Sequence, residues 1–171
     1  SNLQSQSFTL QAVDVKYNNS AENGMGALAD AVNKLSDVLG ISASASVTST
    51  SSASVAEGST GSDFAINGVV IGSVNVVDND SDGALVKAIN NKGSDHGLIA
   101  SVDAAGYLQL SSTDGRAIEV TGSTGDVLAG SSMSTFGYVQ LKQSGSNELI
   151  VTDLSSGSAV EFTANLALSG I

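Results

Sequence analysis

The sequence predicts an α+β fold that is rich in antiparallel strands and contains two short helices. Apolar and polar residues alternate over many short stretches, and Gly, Asn and Asp cluster between those stretches. Two further windows carry apolar residues at three- and four-residue spacing, which indicates helices. Proline is absent from the 171 residues, so Gly, Asn, Asp and Ser make the turns. The expected architecture is repeated β-α-β units followed by a β-meander tail.

The two helical windows repeat one octapeptide. Gly26–Asn33 reads GALADAVN and Gly83–Asn90 reads GALVKAIN, an offset of 57 residues from Gly26 to Gly83. Self-similarity at such a spacing is typical of repeated structural units. We therefore expect two structural copies, each built around one short helix.

In the first copy, strands are expected on both sides of the helix. Alternation from Phe8 to Tyr17 predicts the strand before it, and Gly40 is placed to end the helix. Alternation then resumes and predicts a second strand. The stretch Ser42–Ser62 is dominated by Ser, Thr, Ala and Gly, and we expect a strand followed by an exposed loop there.

The second copy is predicted to have the order β-β-α-β-β-β. Asn67-Gly68 lies between two apolar runs, which is a strong hairpin signal. The helix over 83–91 is expected to end at Gly93 or Gly97. Three more strands follow, the last two joined by a hairpin turn at 114–116: Leu98–Asp103, Tyr107–Leu110 and Ile118–Val120.

After Gly122 the chain carries no helical pattern. Three stretches show strand-like alternation and are separated by polar residues: Tyr138–Leu141, Glu148–Val151 and Val160–Phe162. This pattern predicts the β-meander tail.

Composition excludes several classes of function. Seventeen acidic and six basic residues give a formal net charge of −11, which repels nucleic-acid phosphates and anionic membranes. No apolar run approaches the ~20 residues that span a bilayer. Cysteine is absent, which removes disulfides, thiolate catalysis and sulfur metal ligands. Neither nucleic acid nor a membrane is an expected partner.

Two features resemble functional sites, and we interpret both structurally. Asp78–Gly83 matches the first half of an EF-hand calcium loop, but Ile89 occupies the position of the bidentate Glu. We interpret these acids as a helix cap supplied by Asp82 or Ser81, with weak calcium binding left open. His96 is the single histidine, which excludes a two-histidine zinc site, and we interpret it as a solvated turn residue.

No convergent set of nucleophile, base and acid is visible, so we predict no catalytic residues, no metal ligands and no cofactor. The Gly-Ser-Thr-Gly segments at 58–61 and 122–125 lack the Lys of a phosphate loop and are interpreted as turns. Arg116, in the turn at 114–116, is expected to be solvated or paired with a local carboxylate.

Four blocks of the second copy resemble, in order, the flagellin IN motif, which is named for its Ile-Asn pair. The blocks are Asp63–Gly72 (DFAINGVVIG), Gly83–Asn90 (GALVKAIN), Ile99–Asp103 (IASVD) and Leu108–Arg116 (LQLSSTDGR). The first copy has Leu10-Gln11-Ala12 in place of the Ile-Asn-Gly turn. The layout is most similar to the central insert of flagellins from curved and spiral bacteria.

The resemblance implies three segments. Residues 1–58 are a degenerate IN-like unit, residues 59–122 are the IN-motif unit, and residues 123–171 are a β-rich tail that returns toward the filament core. It also implies a structural protein of the extracellular flagellar filament. Its partners are then other flagellin subunits, reached through terminal helices outside this chain, with outer-domain contacts left open.

Further expectations follow from the same resemblance. The isolated chain is expected to be monomeric, with Ser1 and Ile171 close together. Exposed hydroxyls in Ser42–Ser62 and Gly130–Thr135 are expected to carry O-linked acidic sugars. The critical residues are then structural ones in the motif's core and turn: Phe64, Ile66, Gly68, Leu85, Ile89 and Leu108.

Two alternatives remain open at this point. A hook or filament-cap protein of the flagellum carries the same motif. From another class, the acidity, the Ser/Thr-rich strands and the Asp78–Asp82 loop are compatible with an extracellular adhesin or a calcium-stabilised binding module.

Overall fold

The computed structural model describes residues 3–144, 148–152, 159–160 and 163–169, with side-chain surroundings from residue 10 to residue 144. The strands are β1 Leu3–Thr9, β2 Val13–Asp14, β3 Ile41–Ser46, β4 Thr48–Ser54, β5 Gly58–Ser59, β6 Ala65–Ile66, β7 Val69–Val70, β8 Asn75–Val76, β9 Leu98–Val102, β10 Tyr107–Ser112, β11 Val120–Thr121, β12 Tyr138–Gln143, β13 Glu148–Thr152, β14 Ala159–Val160 and β15 Thr163–Ser169. The helices are α1 Met25–Asn33, α2 Ser36–Leu39, α3 Ala84–Asn90 and α4 Gly93–His96.

The strands form small antiparallel sheets. Three sheets have three strands, in the orders β1-β15-β13, β4-β10-β9 and β11-β6-β7, and the pairs β12-β3, β14-β2 and β5-β8 complete the set. The predicted α+β fold, rich in antiparallel strands, is confirmed.

The backbone repeats at the same offset of 57 residues as the sequence. Each predicted helix is broken near its end, at Leu35 (φ −107°) in the first copy and at Lys92 (φ −111°) in the second. Each pair of helices then ends at a left-handed glycine, Gly40 (φ +64°) or Gly97 (φ +74°). Glycine adopts this conformation without a steric penalty, and it turns the chain directly into β3 or β9.

An asparagine fastens each helix to the strand that follows it. In the first copy Asn33 donates from Nδ2 to the Ala43 carbonyl at 2.8 Å and accepts the Ala43 N–H at 2.7 Å. In the second copy Asn90 makes the same two bonds to Ala100, at 2.9 and 2.8 Å. Both residues lie 57 positions apart from their counterparts, so the repeat includes a side-chain contact as well as a backbone path.

The two copies differ in how their strand pair is completed. β9 folds back through 103–106 and pairs with β10, with Leu108 opposite Val102. β4 occupies the corresponding place after β3, but it continues away from β3 past the buried Val47 and pairs with β10 instead. The vacant place beside β3 is taken by β12, with Tyr138 opposite Ser46.

This exchange corrects the prediction of a meander for the tail. β12 pairs with β3, β14 pairs with β2, and β15 pairs with β1 as well as with β13. The tail therefore closes the N-terminal part of the chain, because its strands fill edges that the first copy leaves open. β1 and β15 place Leu3 opposite Ser169, and Ser1 and Ile171 lie outside the described residues.

The Asn67-Gly68 hairpin is confirmed, because both residues have positive φ (49° and 77°) and join β6 to β7. The hairpin predicted at 114–116 is wrong, since β11 pairs with β6 and places Val120 opposite Ile66. Asn67 provides the reason. Its N–H donates to the Glu119 carbonyl, and its Oδ1 accepts the Glu119 N–H at 2.8 Å, which holds the chain entering β11 beside the hairpin.

The main core lies under the second copy. Its largest members come from the hairpin, α3, β9, β10 and the segment after β11: Phe64, Ile66, Leu85, Ile89, Leu98, Leu108, Leu110, Ile118, Leu128 and Met133. The first copy buries two smaller groups. One contains Leu10, Val32, Leu39 and Ile41, and the other contains Val13, Val15 and Leu28.

Candidate functional surface

The acidic loop before α3 caps that helix with a different residue from the ones expected. The Asp80 carboxylate is 6 % exposed and accepts the N–H groups of Leu85 at 2.8 Å and Val86 at 2.9 Å. Asp82 accepts only the Ala84 N–H, at 3.1 Å. Asp80 therefore satisfies two otherwise unpaired donors of the helix N-terminus, where a negative charge is favourable.

The geometry of this loop fits a cap better than a cation site. Both oxygens of Asp80 are already engaged by backbone N–H groups, and Asp78 accepts the Glu57 N–H at 3.0 Å. Among residues 10–144, no group of three or more Asp, Glu or His side chains is placed to hold a metal ion.

His96 is buried, and its interpretation as a solvated turn residue is wrong. Its exposed fraction is 0 %; Nδ1 accepts the Leu98 N–H at 3.1 Å, and Nε2 lies 2.8 Å from the Ile89 carbonyl. This pattern requires the tautomer protonated at Nε2. Leu39 occupies the equivalent place in the first copy, 57 residues earlier, and is also buried. His96 thus fills a core position and adds two hydrogen bonds that tie α3 to β9.

Arg116 pairs with a local carboxylate, which was one of its two expected states, and it also connects the two copies. Its guanidinium lies 2.6 Å from Asp114, which lowers the pKa of the Asp114 carboxyl and raises the pKa of Arg116. Nη1 donates to Asn19 Oδ1 at 2.9 Å, and Asn19 Nδ2 donates to the Asp95 carbonyl at 2.9 Å. The loop of the first copy is thereby fastened to the second.

The outward face of five neighbouring strands carries no carboxylate. β3, β4, β9, β10 and β12 contain no Asp or Glu, although the chain has 17 acidic residues. We call their outward-pointing side chains the acid-free face: Ser42, Ser44, Ser46, Thr48, Thr50, Ser52, Ser54, Ile99, Ser101, Tyr107, Gln109, Ser111, Tyr138, Gln140 and Lys142. Lys142 is its single charged member.

One extended run gives this face its continuity. From Ile41 to Val55, burial alternates residue by residue, with even-numbered residues outward and odd-numbered residues inward. Val47, between β3 and β4, is 4 % exposed and keeps the alternation in phase. Since side chains alternate strictly along an extended strand, the outward Ser and Thr side chains of β3 and β4 belong to one twisted surface.

The comparison with protein families decides what kind of chain this is. The family model described as the flagellin hook IN motif matches twice, over residues 4–58 and over residues 63–114. The two matches cover most of the chain, and each contains one helix pair with its asparagine. This chain belongs to the flagellin IN-motif family.

The relatives of this IN-motif chain are flagellins. It is 36 % identical over 177 residues to flagellin B of Helicobacter pylori, an alignment that covers 92 % of this chain and 34 % of the relative. Flagellin A of Helicobacter felis is 33 % identical, with coverages of 91 % and 33 %. Flagellin A of H. pylori is 45 % identical over 107 residues, which are 62 % of this chain and 21 % of the relative.

These findings confirm the resemblance to flagellins of spiral bacteria that the four sequence blocks indicated. The chain spans about a third of the length of the curated relatives that it matches along most of its own sequence. The described residues include no helix long and apolar enough to cross a membrane.

Within the IN-motif units, the sequence interpretation missed the paired asparagines. Asn33 and Asn90 are the last residues of the repeated octapeptide, so the repeat itself carried a signal for them. The interpretation used that octapeptide only for its apolar face. The contact is invisible in the pattern because Ala43 and Ala100 present backbone groups, and these carry no side-chain signature.

The strand β4 was the second omission. Its sequence, TSTSSAS, has the composition of a flexible loop, yet it lies beside β10 as an outer strand of the sheet. Ser51 is buried and fills a bulge in this pairing, where its hydroxyl accepts the Leu108 N–H at 3.0 Å and donates to the Ala53 carbonyl at 2.7 Å.

Proposed function

We propose that this chain is the outer, solvent-facing region of a flagellar filament subunit. The observation that carries the proposal is the double match to the flagellin IN motif in a chain that aligns with about a third of each of two full flagellins. Pairing of β1 with β15 supports it, because a region inserted into a longer chain enters and leaves at neighbouring points.

On this proposal the chain acts structurally, outside the cell, with other flagellin subunits as its partners. Polymerisation depends on segments outside the 171 residues, so the isolated chain is monomeric at low concentration. Catalysis has no part in the role. A hook or filament-cap protein is the competing assignment within the flagellum, and an adhesin is the competing assignment outside it.

The test is to delete residues 1–171 from the full-length protein in its native cell and to image the filaments by cryo-electron microscopy. We expect filaments of the same helical lattice with a smaller diameter, because the deleted region forms their outer shell. Absence of the protein from filaments, with its presence in the hook or at the filament tip, would transfer the assignment to those parts. A protein found on the cell body would favour the adhesin.

The three segments 1–58, 59–122 and 123–171 are proposed as units of sequence. The family match from 4 to 58 and its second match from 63 to 114 support the boundary near residue 58. In space the third segment completes the first, since β12 pairs with β3. A chain cut within 123–137 is therefore expected to retain native chemical shifts in the second unit and to lose them in α1 and β3.

We also propose that hydroxyls on exposed loops carry O-linked acidic sugars. The predicted stretches contain such groups outside the sheets, at Ser62 and Ser132, and Ser123 offers another. Peptide mass spectrometry on protein from the native cell tests the proposal. Sugar masses on these loop peptides would support it, and unmodified loop peptides from assembled filaments would remove it without affecting the filament role.

A further inference from the structure

We propose that the acid-free face is a contact surface for a second copy of this chain, so that neighbouring outer regions touch in the filament. The inference rests on the proposed filament role and adds to it the surface through which the outer regions meet. Its basis is the distribution of charge over this fold.

Electrostatics selects this face from the rest of the surface. The chain carries a formal net charge of −11, so two copies repel each other wherever their carboxylates are brought together. Acidic residues occur between the strands β3, β4, β9, β10 and β12 and beyond them, but none occurs within them. Two copies that meet through this face bring no carboxylates of these strands into opposition.

Exposed apolar side chains lie at the centre of the face. Tyr138 is 61 % exposed and lies opposite Ser46 on β3. Two residues along the same extended run, Thr48 lies opposite Ser111. Ser111 in turn lies opposite Ile99, which is 56 % exposed. Tyr138 and Ile99 therefore offer apolar surface on both sides of a short row of hydroxyls, and association would remove that surface from water.

The size of the face sets the strength of the contact. The outward run from Ser42 to Ser54 is ~40 Å long at ~3.3 Å per residue, and strands ~4.8 Å apart give the sheets a width of ~10–15 Å. The resulting area is on the order of 500 Å² per partner, below the ~800 Å² that is usual for a stable complex. The contact is therefore weak between free chains. It becomes populated when a filament holds the copies side by side at ~mM effective concentration.

Self-association of the purified 171-residue chain tests the inference. Sedimentation equilibrium up to ~mM concentration measures the dimer dissociation constant, and residue-resolved NMR shift changes locate the contact. We expect weak dimers, stronger at high salt because salt screens the net charge. The shift changes should centre on β3, β9 and β12. Absence of self-association at ~mM, or shift changes centred on another face, would overturn the inference.

A matched pair of variants separates this face from a general effect of charge. S44D with T50D places two carboxylates on the face, whereas S62D with S94D places two at exposed positions outside it. The first variant should raise the dissociation constant at least about tenfold, because like charges meet at the contact. The second should raise it less than about threefold. Equal effects would overturn the inference, and unchanged melting temperatures confirm that both variants fold.

Two results in the full-length protein distinguish this inference from the filament role. If filaments carrying S44D and T50D assemble with outer regions in the same positions as in the parent filament, the filament role stands and the contact is lost as an explanation. Acidic sugars found on Ser44 or Thr50 in the native protein would also overturn the inference, because they would place charge on the face. If no filament contains the protein, the proposed function itself fails.

Discussion

The two copies of the repeat follow one backbone path over very different cores. Both have a broken helix, a left-handed glycine, and an asparagine fastened to the next strand. Under the second copy lies one large group of buried side chains, whereas the first copy has two small groups and borrows β12 to complete its strand pair. Local sequence is therefore sufficient to repeat the path of the chain. The stability of each copy depends on what the rest of the molecule packs beneath it.

The largest effects should come from truncating the equivalent helix leucines. Leu85→Ala removes a fully buried side chain from the large core and should lower the free energy of unfolding by about 3–5 kcal/mol. Leu28→Ala, 57 residues earlier, should cost about 2–3 kcal/mol, because its smaller group can relax around the cavity. Urea unfolding of both variants measures the difference. Equal costs would show that the size of the core does not separate the copies.

The paired asparagines should rank next. Asn90→Leu leaves the N–H and carbonyl of the buried Ala100 without their partner, at a cost of about 1–3 kcal/mol. Asn33→Leu should cost under about 1 kcal/mol, because Ala43 is half-buried and water can replace the lost bonds. Amide hydrogen exchange at Ala100 and Ala43 reports each contact directly. A larger loss of protection at Ala43 would reverse the expected order.

The hairpin that only the second copy possesses offers a test of backbone strain alone. Gly68 has φ +77°, and a Cβ added there meets no atom within 4 Å. Gly68→Val should therefore cost about 1–2 kcal/mol through its conformation and nothing through a clash. Gly68→Asn is the control, because asparagine tolerates positive φ, and it should cost less than half as much. Similar melting temperatures for the two variants would contradict the turn geometry.

The smallest effect concerns the ion pair at the junction of the copies. The pKa of Asp114 is lowered in the folded chain, so the pair stabilises the fold above the unfolded pKa of about 3.9. That contribution is lost as the pH falls through the lower folded value. Asp114 and Arg116 are partly exposed, so the contribution should be under about 1 kcal/mol.

Asp114→Asn provides the measurement for this pair. The difference in unfolding free energy between parent and variant should be present at pH 7 and should disappear near pH 2. A difference that persists unchanged at pH 2 would assign the effect of the substitution to something other than the charge of Asp114.

Sequence patterns predicted the elements of this protein more completely than their partners. Gly40, Gly97 and Asn67-Gly68 were identified because left-handed conformations require particular residues, and that requirement is local. The partner of β11 was missed because β11 follows a turn signal at 114–116, while its pairing with β6 depends on Asn67, far along the chain. The burial of His96 was missed for the same reason. Its neighbours Ile89 and Leu98 accept and donate through backbone groups, which carry no pattern.

The sequence by itself determined the family, the repeat of 57 residues, the turns, and the absence of carboxylates from five strands. These are properties of residue identity and spacing. The tertiary structure alone decided that β4 leaves β3 for β10, that β12 takes its place, and that the acid-free strands share one surface. Hydrogen-bonding edges of strands are chemically alike along every chain. The choice among them is made by packing and loop closure over long separations, which no short stretch of sequence encodes.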